Sequence, residues 1–171
     1  IRGAQISAAV GSLISALTTD PNLLLGMTSL KSKVDYLETH STNVSIIAMC
    51  IATAMGFDER AVFHVGFSGL VHDVGMLKVP SDIVQKPGRL DRHEITEIRR
   101  HPIFGIDMLE RFERIPRQVP FVVYQTHERV DGSGYPRGRS RHLIHTFARI
   151  VAVADCFDAL CSPRPYREAY L

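Results

Sequence analysis

His72 and Asp73 stand side by side inside the apolar run 69–75 of the chain. An ionisable pair in such a run is costly to bury unless it is paired or holds a metal. Imidazole and carboxylate together suit a divalent transition metal. A His-Asp pair taken alone reads better as the capped end of a helix. His40, His101, His127 and Asp155 change the balance, because each also sits at the edge of a separate apolar segment. Together with His72 and Asp73 they have the character of one metal pocket. The other histidines, His64, His93, His142 and His145, read as surface or helix-packing residues.

These residues need elements to carry them, and the apolar spacing is helical almost throughout. Residues 4–17 carry Ile6, Val10, Leu13, Ile14 and Leu17 on one stripe. Pro21 can open a short second helix that gives way near Gly26. A longer helix is expected over about 29–55, with Val44 to Met55 deeply buried. Asp58 can cap the helix that delivers His72 and Asp73. Residues 80–88 read as a short turn or half-helix. Asp91 and Glu94 have capping-box spacing for a helix towards 111, which Pro102 interrupts just after His101. Further helices are expected over 116–127 and 145–160. Between them lies the glycine-rich polar segment 128–141. No stretch alternates convincingly with strand period, so the chain reads as all-α.

The length of 171 residues fits a single domain spanning 1–171. Because it begins at Ile1 and ends just after a helix-like start, we expect it to be a piece of a longer polypeptide. A net charge of +2 with mixed signs implies no general affinity for nucleic acid polymers or anionic membranes. No apolar stretch reads as a membrane span. Cys50, Cys156 and Cys161 lack ligand-like spacing and read as reduced, buried thiols of a cytoplasmic protein.

In chain order the candidate segments are His40-Ser41, His72-Asp73, His101-Pro102, the run from His127 to Pro136 with its Gly134-Tyr135-Pro136, and Ala152-Val153-Ala154-Asp155, followed by 162–167. This pattern resembles the HD-GYP family, a branch of the HD metal-dependent phosphohydrolases, over nearly the whole chain. The resemblance implies a helical bundle of about seven helices that hydrolyses cyclic di-GMP, a bacterial second messenger. The product would be linear pGpG, and GMP if cleavage continues.

It also implies the roles of particular residues. His40, His72, Asp73 and Asp155 would hold a first metal. Asp73 would bridge to a second, shared with His101 and His127. Asp73 and His72 would form the catalytic centre. Two ions about 3.5–4 Å apart can polarise a phosphate and supply hydroxide for in-line attack. Iron or manganese is the first expectation, and the ligand set also suits zinc or nickel. Tyr135, Arg164 and Arg167 would contact substrate, the arginines through forked bonds to phosphate. Arg137, Arg139 and Arg141 read as solvated loop charges. Diguanylate cyclase domains are expected partners of the Gly-Tyr-Pro loop, and helix 4–17 offers a surface for pairing with a second copy.

The chain departs from the pattern at Tyr36, Thr126 and Met76. Tyr36 stands where many members carry a glutamate ligand, so two ions are expected rather than three. Thr126 replaces the first of two histidines, which weakens the second position. Met76 replaces a lysine able to contact phosphate, and Lys78 is the nearest substitute. These departures define an alternative, a degenerate domain that binds cyclic di-GMP or a protein and signals without hydrolysis. A phosphohydrolase of another nucleotide is a further reading, opposed by the intact Gly-Tyr-Pro.

Overall fold

A computed structural model describes residues 3–20, 36–112 and 115–162. The described residues are helical, with turns and loops between the helices and no strand. We number the α-helices in chain order. They are α1 (Gly3–Thr19), α2 (Tyr36–Ala54), α3 (Glu59–Val71), α4 (Ser81–Val84), α5 (Arg92–Ile98), α6 (His101–Leu109), α7 (Gln118–Gln125) and α8 (Thr146–Cys161). Single 3-10 turns cover Val74–Lys78 and Arg141–Leu143. The expected short helix after Pro21 and the start of the expected 29–55 helix lie outside the described residues.

The core forms where α2, α3, α7 and α8 meet. Val44, Ala48, Met49, Val65, Phe67, Val122, Val123, Val151 and Ala154 are buried there. Removal of such side chains from water is the main favourable term in folding. Four members of the α1 stripe behave as their spacing predicts, and the side chain of the fifth, Leu17, lies outside the described residues. Val10 and Ile14 are buried, and Ile6 and Leu13 pack partly against the same core. In α2 the run is buried from Val44 to Met49 and again at Ala52, but Cys50 and Ile51 are half-buried and Met55 is exposed at the helix end, so the deep burial expected through Met55 stops short. Among the described residues no helix is long and apolar enough to cross a membrane.

The local signals that start and stop the helices are those that deliver the site. Asp58 caps α3 by accepting from the Ala61 N–H at 2.7 Å. Asp91 and Glu94 form the full capping box of α5. Pro102 does not kink a long helix. It opens α6 as a new one, with His101 at its first position, where a missing N–H costs nothing. The chain turns sharply after α3, and Gly75 lies against the start of α6. A Cβ at Gly75 would collide with the His101 carbonyl oxygen and the Gly105 nitrogen. This close approach brings Asp73 to His101.

The cysteines carry one correction. Cys156 is exposed rather than buried, and Cys50 and Cys161 are half-buried. Cys156 follows Asp155 on α8, and its neighbour Val153 is also exposed, so this face of the helix looks to solvent.

Candidate metal centre

Five stretches of chain converge on Asp73. His40 comes from α2, His72 and Asp73 from the end of α3, His101 from the start of α6, His127 from just beyond α7, and Asp155 from α8. The Asp73 carboxylate has His72 Nε2 at 3.4 Å, His101 Nε2 at 3.2 Å and His127 Nε2 at 3.3 Å. Potential ligand atoms of His40, His72 and Asp73 lie within 4.8 Å of one another, as do those of Asp73, His101 and His127. Asp73 is common to both groups. Asp155 falls in neither group, but it faces the same cluster. Its Oδ1 is 3.2 Å from His40 Nε2, and its Oδ2 is 3.9 Å from His127 Nδ1.

The backbone fixes which nitrogen each buried ring presents. His72 Nδ1 is 2.8 Å from the Gly69 carbonyl oxygen, and His101 Nδ1 is 2.8 Å from that of Ile98. A carbonyl can only accept, so Nδ1 carries the proton in both rings, and Nε2 is the ligand atom. His72 Nε2 and His101 Nε2 are buried and have no hydrogen-bond partner among the described residues. Two orphaned imidazole nitrogens aimed at a shared carboxylate are the donor set of a divalent cation. The residues present therefore fit the expected metal.

His40 is held differently. Its Nδ1 lies 2.7 Å from Asp158 Oδ2, and Asn43 Nδ2 donates to Asp158 Oδ1 at 2.8 Å. Ser162 Oγ donates to the same Oδ1 at 3.1 Å. Burial disfavours the charged ring, but hydrogen bonds to Asp155 and Asp158 outweigh it and push its pKa up to about 9. Burial also opposes the charge on Asp73. The charge of the neighbouring His72, with the His101 and His127 rings close by, holds that carboxyl well below its usual range. Asp155 is lowered too, with burial opposed chiefly by the His40 hydrogen bond. The cluster thus keeps its carboxylates ionised and its imidazoles near them, as a cation site requires.

Sequence reasoning missed Asp158, Asn43 and Glu128. Asp158 lies three residues after Asp155 on one helix, and Asn43 three after His40, so each shares a face with a residue already singled out. That spacing was the available signal. Thr126 is 1 % exposed, and its hydroxyl donates to the Val122 carbonyl of its own helix at 2.8 Å. Lys78 is exposed at the end of the 3-10 turn. The Tyr36 side chain, and Arg164 and Arg167, lie outside the described residues. Of the histidines set aside, His64 packs edge-on against Phe63, and His145 caps α8 by accepting from the Phe147 N–H.

Tyr135 closes one side of the cluster. Its ring is stacked on His127, with centroids 5.1 Å apart and planes 5° from parallel. The Arg99 guanidinium lies 5.4 Å from the Tyr135 centroid. Burial pushes the phenol pKa up, and the negative charges of Asp73 and Asp155 add to the effect. Arg137, Arg139 and Arg141 are exposed, as expected of loop charges.

Comparison with known proteins gives relatives along almost the whole chain. A cyclic di-GMP phosphodiesterase of Pseudomonas aeruginosa is 35% identical over 167 residues, covering 98% of this chain and 40% of that protein. A cyclic di-GMP phosphodiesterase response regulator of Xanthomonas campestris pv. campestris is 40% identical over 128 residues, covering 74% of this chain and 34% of its own length. A 3'3'-cGAMP-specific phosphodiesterase of Vibrio cholerae is 36% identical over 138 residues, covering 80% and 31%. The chain thus spans about two fifths or less of these relatives. The fold is shared with an HDG"Y"P protein of Bdellovibrio bacteriovorus, at a TM-score of 0.79 and 19% identity, over 94% of this chain and 52% of that one. The HD domain model matches residues 12–171. The chain belongs to the HD domain family, as the resemblance carried by its His-Asp and Gly-Tyr-Pro motifs implied.

Proposed function

We propose that this domain is a metal-dependent phosphodiesterase of the HD-GYP type that hydrolyses cyclic di-GMP to linear pGpG. The observation that carries the reading is Asp73, whose carboxylate is met by the Nε2 atoms of His72, His101 and His127. Relatives named as cyclic dinucleotide phosphodiesterases support the substrate class.

His40, His72, Asp73 and Asp155 would hold one ion, and Asp73, His101 and His127 a second. Manganese or iron is the first choice for both. Divalent ions held there would supply Lewis acidity towards a phosphodiester and a source of hydroxide near neutral pH. The chain's own part is to present the ligands. The Gly69 and Ile98 carbonyls keep the proton of His72 and His101 on Nδ1, and Asp158 braces His40. Tyr135 would offer the guanine base an aromatic neighbour beside the cluster. Arg164 and Arg167 would meet its phosphates. The substrate puts the domain in the cytoplasm, with cyclase domains as partners at the Gly-Tyr-Pro loop and pairing of copies through α1.

Thr126 favours a second reading. Its hydroxyl is spent on its own helix, so it replaces no imidazole. A second position served by Asp73, His101 and His127 alone would be weak, and the domain would then bind the dinucleotide without cleaving it. The test is chromatography of cyclic di-GMP and, separately, 3'3'-cGAMP after incubation with protein reconstituted anaerobically with Fe(II) or Mn(II). Linear pGpG as the main product supports the proposal. Faster cleavage of 3'3'-cGAMP overturns the substrate choice. Folded, metal-loaded protein that binds without cleaving supports the second reading.

A further inference from the structure

We propose that Glu128 is a positioning residue that holds Tyr135 over His127 and thereby sets affinity for substrate. This rests on the reading of Tyr135 given above. Glu128 follows His127 directly and is only 5% exposed. A buried carboxylate is costly unless its lone pairs are met. Here both oxygens are met by main-chain donors. The Arg137 N–H donates to Oε1 and the Arg139 N–H to Oε2, each at 2.8 Å. Hydrogen bonds to an ionised acceptor are the stronger kind.

These two bonds close the segment 128–139 on itself, with Tyr135 near the middle of the closed segment. The near side is tied as well. The Tyr135 N–H donates to the His127 carbonyl at 3.1 Å. A Cβ on Gly134 would collide with the main chain of residues 127–129, so the loop folds flat onto the residues that carry the cluster. Asp131 adds an inner turn by accepting from the Ser133 N–H and hydroxyl.

Tyr135 is therefore pinned from both sides. With the main chain held there, its ring lies in the parallel stack on His127. A loop already ordered spares the substrate the cost of ordering it. Glu128 touches neither the cluster nor, on this account, the substrate, and it acts through the loop.

The test is Glu128→Gln, which keeps the shape but turns an amide NH2 towards one of the two N–H donors. KM for cyclic di-GMP should rise about tenfold while kcat stays within about twofold, since only a binding element is disturbed. Metal content should be unchanged. Hydrogen–deuterium exchange should speed up in 129–139 and not in α2 or α3. In a Tyr135→Ala background, Glu128→Gln should change KM by less than about twofold, because the two act as one unit.

Unchanged KM, additive effects of the two substitutions, or exchange that speeds up throughout the molecule would overturn the proposal. If wild-type protein shows no turnover, the proposed function fails by itself. The exchange pattern then decides for Glu128. Faster exchange confined to 129–139 supports the strap, and no local change refutes it.

Discussion

His40 Nδ1 and Asp158 Oδ2 lie 2.7 Å apart, both buried at the back of the cluster. The contact fixes the Nδ1 proton and turns Nε2 towards Asp155, 3.2 Å away. Asn43 and Ser162 hold the other oxygen of Asp158, so the carboxylate has one orientation. His72 and His101 are oriented by backbone carbonyls instead. Partners behind a metal ligand commonly govern affinity as well as orientation. Asp158→Ala should weaken Mn(II) binding about 10- to 100-fold by isothermal titration, with the fold retained by circular dichroism. Affinity within about twofold of wild type would show that His40 needs no such support.

The same pair sets a pH dependence. Burial opposes the His40 charge, but Asp155 and Asp158 raise its pKa from the ordinary 6.5 to about 9. A raised histidine stabilises the metal-free fold fully below the unfolded value, and that stabilisation is lost as pH climbs through the folded value. A metal must displace the proton on His40 Nε2. Apparent affinity should therefore rise by up to about tenfold per pH unit between 7 and 9 and flatten above that. Titrations with the same ion at several pH values read this directly. A flat profile would mean that His40 is neutral before the metal arrives.

Thr126 and His127 are neighbours with unequal expected effects. The Thr126 hydroxyl is bonded to Val122, whereas His127 Nε2 stands 3.3 Å from Asp73. Thr126→Ala should leave metal content within about twofold of wild type, while His127→Ala should lose one ion per chain. Elemental analysis of the two variants distinguishes them. Metal loss in Thr126→Ala would mean that this hydroxyl serves the site.

Gly75→Ala tests the geometry that joins α3 to α6. The added methyl would run into the His101 carbonyl, and backbone cannot swing aside as a side chain can. The substitution should cost about 3 kcal/mol, at the upper end for overpacking, and lower Tm by several degrees. Metal affinity should fall with it, because Asp73 and His101 are forced apart. An unperturbed Tm would show that the turn has room the structure does not suggest.

Much of this arrangement could be read from residue types and spacing. His72-Asp73 stood out because ionisable groups in an apolar run need a reason, and the caps at Asp58 and Asp91 marked where the flanking helices begin. Pro102 signalled an interruption, and the structure converts it into a helix start. Other features depend on contacts between distant segments. Asp158 reads as one more polar residue on α8 until α2 brings His40 and Asn43 against it. Glu128 resembles any loop glutamate until the chain returns with the Arg137 and Arg139 amides. Local periodicity cannot show where a loop doubles back. Nor could composition reveal that Cys156 faces solvent, since half of an amphipathic helix always does.

The central claim is that Asp73 joins two metal positions, and metal content per chain tests it most directly. Protein reconstituted with Mn(II) and freed of excess should hold close to two ions by elemental analysis, and Asp73→Ala should hold close to none. Loss of both ions on removal of one carboxylate is the result this account predicts. Unchanged metal content in Asp73→Ala would contradict it.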